Sequence, residues 1–352
     1  MAVYTTINDP SAYFQVLTYT GDDNNNRALV NTGNSNLQPD WVWIKNRTGG
    51  TKSHQLVDSS RGVTKYIFTD GTDAESTLTN RLDSFDTDGF TTDNHSSVNA
   101  SDRTYVAWQW KANGGTTSNF SESGANPGGT IQTNTTAGFS IIDYTGTGSA
   151  GTISHGLGKV PEWIVFKDRS GDGDDWFVYH VSTGNDGGVR LNTNATDGND
   201  SNRFNNTSPT TSVFTVGASG GTNDDGNPTI AYCFAPIQGF SKFGKYKGNG
   251  NANGPFIYLG FKPKYFLLKN ISATQNWYVF DTARDIHNPS NSAMQVSSNA
   301  IQETGYAMDF VSNGFKIRHT DGAWNGNGNT YIYMAFAEHP LVTSDKVPTT
   351  AR

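Results

Sequence analysis

Acids, bases, nucleophiles and metal ligands must stand at set distances to do chemistry, and this chain offers few such sets. Its 7 histidines are His54, His95, His155, His180, His287, His319 and His339. No two have a spacing that would place both imidazoles on one metal or beside one nucleophile, so they read as surface or packing residues. Cys233 is the single cysteine and cannot form an intrachain disulfide; inside an apolar run it reads as a small core residue. Two acidic loops, Gly171-Asp172-Gly173-Asp174-Asp175 and Asn223-Asp224-Asp225-Gly226-Asn227, offer oxygen ligands to Ca²⁺. Neither matches the Asp-x-Asp-x-Asp-Gly loop closed by a later Glu, and both read as turns. A carboxylate pair across a cleft would suit glycoside hydrolysis, but Asp22-Asp23, Asp86, Asp88 and Asp321 also fall in turns. Phosphate-loop, zinc-protease, nucleophile-elbow and Cys-x-x-Cys motifs are missing from the sequence. The expectation is no catalytic residue, no metal site and no cofactor.

Aromatic rings are the remaining groups able to meet a ligand, by stacking on sugar rings. Trp41, Trp43, Trp163, Trp176 and Trp277 lie in apolar runs that recur along the chain, which makes them core. Trp324 sits in the Gly-Asn-rich loop before the last run and has no matching Trp elsewhere. It is the one ligand-binding candidate.

The elements that position these groups are strands. The 352 residues are 34% hydrophobic and only 16% charged, with 39 Gly, 12 Pro, 8 Trp, 15 Tyr and 20 Phe. Gly, Asn, Thr and Ser supply the polar surface, and these residues with aromatics favour extended chain and turns over helix. An all-β protein follows. Net charge is −7 with no basic stripe, which removes the electrostatic basis for nucleic-acid binding. No run approaches the roughly 20 apolar residues of a membrane helix, so no membrane insertion is expected. The opening Met1–Asp9 lacks the basic and apolar regions of a secretory signal.

An internal repeat organises the chain. Tyr19-Thr20-Gly21, Tyr144-Thr145-Gly146 and Tyr246-Lys247-Gly248 each end a strand, and each precedes a Pro-led apolar run closed by Lys. These runs are Pro39–Lys45, Pro161–Lys167 and Pro263–Lys269, and a second apolar run ends each copy at Trp110, Phe234 and Phe336. Runs that are apolar at nearly every position predict central strands buried on both faces. The reading is three tandem β-sandwich or jelly-roll-like repeats of about 100 residues. They span 17–111, 138–240 and 241–341, between an N-terminal arm at 1–16 and a C-terminal tail at 342–352. Residues 112–137, rich in Gly, Ser, Thr and Asn, form a linker that is either a tether or an arm on a neighbouring surface. The arm and tail are expected to contact other subunits. The segment Ala74–Leu82 is the best helix candidate.

Several of these segments carry a family resemblance. Tyr4-Thr5-Thr6-Ile7-Asn8, Pro39–Lys45, Asp58-Ser59-Ser60-Arg61-Gly62, Phe85–Phe90, Tyr105–Lys111 and Tyr331–Pro340 resemble a repeat-containing family of marine bacteriophage virion structural proteins, labelled tail-fibre-like. The resemblance implies a non-enzymatic exterior virion protein, a tail fibre or appendage contacting the host. It leaves open a capsid decoration or tail connector, and a glycan-binding module or polysaccharide depolymerase. The implied partners are other virion proteins, further copies of the chain (a trimer by analogy) and a host surface glycan. Copy two departs from the pattern, with Tyr179-His180-Val181-Ser182-Thr183-Gly184 in place of the Asp-Ser-Ser-Arg-Gly turn.

Overall fold

The computed structural model describes residues 4–348. Its fold class is all-β, as composition led us to expect. Among the described residues the helical segment is a single 3₁₀ turn, Pro10–Ala12, capped by the Asp9 side chain. The helix expected over Ala74–Leu82 is replaced by strands: Ser76–Thr77 pairs with Lys65–Tyr66, and Leu82–Asp86 pairs with Gly89–Thr92. Two turns of helix cannot offset their nucleation cost without packing, and the Ser and Thr residues here favour extended backbone.

Each third of the chain builds four antiparallel strands in the same order. In the first third, Phe14–Thr20, Thr104–Trp110, Trp41–Asn46 and Gln55–Asp58 lie side by side. The second repeats this with Phe139–Thr145, Pro228–Phe234, Trp163–Asp168 and Phe177–His180, and the third with Ser241–Lys247, Thr330–Pro340, Phe261–Asn270 and Trp277–Asp281. The Pro-led strand and the closing strand are central in every case. Trp41–Asn46 and Trp163–Asp168 are buried at all positions.

Burial of both faces has a specific cause. One face of each four-stranded sheet is covered by strands of its own third, such as Arg27–Val30 and Gly89–Thr92, Gly151–Ser154 and Val213–Val216, or Glu303–Val311 and Gly314–Ile317. In the last third these outer strands continue the inner sheet through Ser290–Gln295. Three separate cores result, built around Val42 and Phe90, Phe166 and Phe214, and Phe266 and Phe315. The opposite faces of all three sheets meet in one common core. There Trp41 and Trp110, Trp163 and Phe234, and Tyr265 and Phe336 pack together. The thirds are therefore walls around a shared aromatic interior.

Residues 112–137 do not hang free. Ser118–Phe120 and Gly128–Asn134 add two strands to the outer edge of Phe139–Thr145. Asp40 pins the approach by accepting from the backbone N–H groups of Ala112, Gly114 and Gly115 at 2.7, 2.9 and 2.7 Å. Thr130, Ile131 and Thr133 supply the β propensity that a tether would lack. The described part of the N-terminal arm folds onto its own chain: Ile7 is buried, and Tyr4 donates to the Gly260 carbonyl at 2.7 Å. Asn8 meets Ser344 of the tail. Met1–Val3 and Thr349–Arg352, the ends of the arm and tail, lie outside the described residues.

Candidate functional site

Buried polar groups bridge the seams between thirds, and three of these bridges close in one rotational sense. Trp176 of the second third donates its indole N–H to the Phe68 carbonyl of the first at 2.9 Å. Trp277 of the third donates to Arg190 of the second at 2.7 Å. His54 of the first completes the ring to Gln295 of the third, 2.9 Å from its Nε2. Because His54 Nδ1 accepts from the Trp43 indole at 2.9 Å, Nε2 carries the proton and donates to that carbonyl. Burial pushes the His54 pKa well below its ordinary value, so the ring stays neutral.

Three buried lysines close the Pro-led runs. The Lys45 ammonium donates to the Asn299 carbonyl of the third wall at 3.1 Å, and Lys167 donates to Thr72 of the first at 3.0 Å. Lys269 donates to the Gln275 carbonyl. With carbonyls as their hydrogen-bond partners, desolvation pushes Lys45 down to about 8 and Lys269 down to about 7.

A charged seam joins the first and second walls. Asp58, fully buried, accepts from the Tyr232 hydroxyl at 2.7 Å and from Arg61 Nε at 2.6 Å. Arg61 reaches Glu75 at 3.0 Å, Glu75 holds Arg169 at 2.9 Å, and Arg169 pairs with Asp143. Burial opposes ionisation of Glu75, but the charges of Arg61 and Arg169 outweigh it and hold the carboxyl below its usual range. Asp281 repeats the arrangement in the third wall, accepting from Trp108 Nε1 at 3.0 Å and Arg284 Nε at 2.6 Å. In the second wall His180 takes this place, its Nε2 3.3 Å from the Tyr333 carbonyl, and burial pushes its pKa down to about 4. The departure of copy two visible in the sequence is thus a change from an ion pair to a neutral imidazole.

The two acidic loops, read separately in the sequence, converge. Asp174 of one and Asp224 of the other have carboxylate oxygens within 4.8 Å of each other and of Asp168. Desolvation and the charges of Asp224 and Asp168 raise Asp174 to about 6. Oxygens at this separation could hold a divalent cation, although Lys167 already donates to the Asp174 carbonyl at 2.7 Å. A raised carboxyl pKa costs stability above it, so Asp174→Asn is expected to stabilise the protein at pH 7. The gain is about 1 kcal/mol because solvent screens a half-buried group. It should fade as pH falls through 6 towards 4, where the wild-type carboxyl is itself protonated. Paired thermal melts at pH 7 and pH 4 check this.

Trp324, the ligand candidate, is only 2% exposed. Its ring packs edge-on against Tyr278 at 4.7 Å and Tyr306 at 4.4 Å, and its indole nitrogen lies 3.4 Å from His319 Nδ1. A ring so enclosed offers no face to a sugar. The position does have counterparts: the Trp324 carbonyl accepts from Tyr246 at 2.8 Å, as Val98 does from Tyr19 at 2.7 Å and Thr222 does from Tyr144. Only the ring is particular to the last third. Trp41, Trp43, Trp163, Trp176 and Trp277 are all buried, and so is Cys233, whose thiol burial pushes up.

One repeated device escaped the sequence reading. The residue after the Tyr-bonded carbonyl is Asn99, Asn223 or Asn325. Its Oδ1 accepts from the N–H of Asp22, Thr147 or Asn249, across separations of 77, 76 and 76 residues. Its Nδ2 donates to the carbonyl of Asn24, Ser149 or Asn251 at 2.9, 2.6 and 2.7 Å. The turn glycines Gly21, Gly146 and Gly248 let this loop close. A Cβ there would lie 2.0, 2.1 and 2.3 Å from the carbonyl oxygens of Ala100, Asp224 and Gly326. The signal is an Asn 79 or 80 residues after the tyrosine of each Tyr-x-Gly, hidden because Asn is so abundant.

No curated protein and no solved structure matches the chain. One family model does, running without a break through all three walls and the common core. Matched from residue 9 to residue 340, the chain belongs to the family described as a domain of unknown function, DUF7483.

Proposed function

We propose that this is a non-enzymatic structural protein of a bacteriophage virion, a tail fibre or similar surface appendage that contacts the host. The observation that supports this reading best is the closed ring of three walls around one aromatic core. A chain with one cysteine and no disulfide gains rigidity from such a ring, because a displacement of any wall breaks contacts at two seams. His54, His180 and the pairs Asp58–Arg61 and Asp281–Arg284 are committed to those seams, each with structural partners. The resemblance to virion proteins supplies the setting. The outer surface, rich in Asn, Thr and Gly, suits many weak contacts, and repetition on an assembled particle turns these into avidity. In this reading further copies and other virion proteins bind the outer surfaces, since one chain already closes its own three-part interior.

Antibody labelling of purified virions tests the proposal. Tens of copies on the tail are expected. Absence from the particle would overturn it, and hundreds of copies spread over the head would replace the fibre by a decoration protein.

A further inference from the structure

The three equivalent sheet edges are treated differently. Phe139–Thr145 is covered by the chain's own strand Gly128–Asn134, whereas Phe14–Thr20 and Ser241–Lys247 are each paired on one side only among the described residues. An edge strand presents a row of backbone N–H and C=O groups ready to pair with added chain. The edges correspond residue by residue, since Phe14 faces Trp110 as Phe139 faces Phe234.

The covered edge shows what such a site takes. Strand Gly128–Asn134 runs antiparallel along Phe139–Thr145, wedged against the first wall. Gln132, opposite Ile141, is 1% exposed and donates its amide to Ser59 Oγ at 2.9 Å and Ser60 Oγ at 2.7 Å. The strand is small, uncharged and β-branched, with one amide aimed inward.

At the seam between the first and third walls the corresponding space is a groove. Cavities of about 170 and 460 Å³ adjoin along Phe14–Thr18, sharing Val16, Thr32, Lys264 and Glu338 among their linings. Thr282, directly after Asp281, stands where Ser59 follows Asp58, and its backbone N–H bonds the Lys264 carbonyl just as that of Ser59 bonds Asp40. The Thr282 side chain lines the groove, the residue is only 8% exposed, and its Oγ1 has no hydrogen-bond partner among the described residues. A buried hydroxyl left unpaired is costly, and the filled groove shows the donor that would satisfy it. At the third edge the same place is taken by Val181, which asks for no partner. Lys264 replaces the Asp40 that ties down the chain's own strand, so the open groove lacks that internal anchor.

We propose that the groove along Phe14–Thr20 is a docking site for an extended strand of a partner polypeptide. The partner adds antiparallel to this edge and places an amide side chain opposite Val16, where it bonds Thr282 Oγ1. Recognition is by β-augmentation: backbone pairing supplies affinity, and the inward amide supplies register. The partner segment is seven or so residues, uncharged and rich in Gly and β-branched residues, like the strand in the filled groove. Such a site goes beyond a rigid appendage, because it gives the protein a defined way of receiving a tail from another protein.

The test uses the full chain and a synthetic peptide of its own residues 126–136 as the probe strand. Fluorescence anisotropy should show saturable binding below about 1 mM. Thr282→Val, which keeps shape and backbone but removes the hydroxyl, should weaken binding by about 5- to 10-fold, the loss of one hydrogen bond. A peptide carrying Gln132→Ala should lose the same factor against the wild type and nothing further against the variant. Melting curves of wild type and Thr282→Val should coincide or favour the variant. Absence of binding, or binding indifferent to Thr282→Val, overturns the proposal. So does a sedimentation result in which the protein self-associates and the peptide disperses it, since the occupant would then be a second copy.

Discussion

Phe336→Ala is expected to destabilise the entire chain by about 3–5 kcal/mol and to leave one unfolding transition rather than two. Phe336 is 1% exposed, and its ring centroid lies 5.2 Å from Phe14 and 5.5 Å from Trp110 of the first wall. It also lies 5.8 Å from Phe234 of the second wall and 6.2 Å from Tyr265 of its own. Three walls therefore lose contacts to one cavity, and none can move inward to fill it without straining its two seams. Independent sandwiches would behave differently, with the mutant third melting early and the others at their original temperature. Calorimetry distinguishes these outcomes, and a split endotherm would refute the common core as the unit of cooperativity. Trp163→Ala, on the facing wall and 1% exposed, should act in the same way.

Arg61→Met is expected to cost a further large amount, about 3–5 kcal/mol, although it replaces a charged side chain with an apolar one. The reason is Asp58. Both side chains are essentially inaccessible, 1% and 0%, so removal of the guanidinium leaves a carboxylate in the interior with the Tyr232 hydroxyl and local backbone N–H groups as its remaining donors. Glu75 loses one of its two arginines at the same time. The double variant Asp58→Asn with Arg61→Met should recover much of the loss, because no uncompensated charge is then buried. Denaturant titrations of both variants check the pair. Equal stabilities for the single and double variants would mean that the Asp58 charge is not the source of the penalty. The second wall already shows that a neutral solution works, since His180 occupies this place.

How much of this could be read in advance depended on the range of the interaction. Pro39–Lys45 and its two counterparts were legible as central strands because burial on two faces removes the polar–apolar alternation of a half-exposed strand. What buries the second face was not legible. A run apolar at every position looks the same whether it is covered by its own outer sheet or by two other walls. Lys45 and Lys167 illustrate the point: in sequence they look like polar ends of strands, yet each is within 1% of full burial and donates to a carbonyl of a neighbouring wall. For residues 112–137 a tether and an arm look alike in sequence for a related reason. Their Gly, Thr and Asn content suits a linker equally well, and only the Asp40 cap and the open edge of Phe139–Thr145 make Gly128–Asn134 a strand.

Site-level readings divide in the same way. Trp324 looked available because a Gly-Asn loop around an aromatic is a local feature of surfaces, whereas Tyr278 and Tyr306, which enclose it, are distant in the chain or set on another strand. Asp224 opens a turn closed by the Asn227 N–H, whereas Asp174 lies in irregular chain, and the approach of the two to one another needed the fold.

Sequence alone thus determined the fold class, the strands that lie at sheet centres and the three-fold internal repetition of motifs. These follow from residue propensity and from the period of apolar residues, which act over a few positions. Tertiary structure decided that the three walls share one interior, that ion pairs and indoles close it as a ring, and that the chain covers only one of the three equivalent sheet edges with a strand of its own. Those outcomes rest on desolvation and on hydrogen bonds between residues far apart in the chain, whose energies exist only once the walls have met.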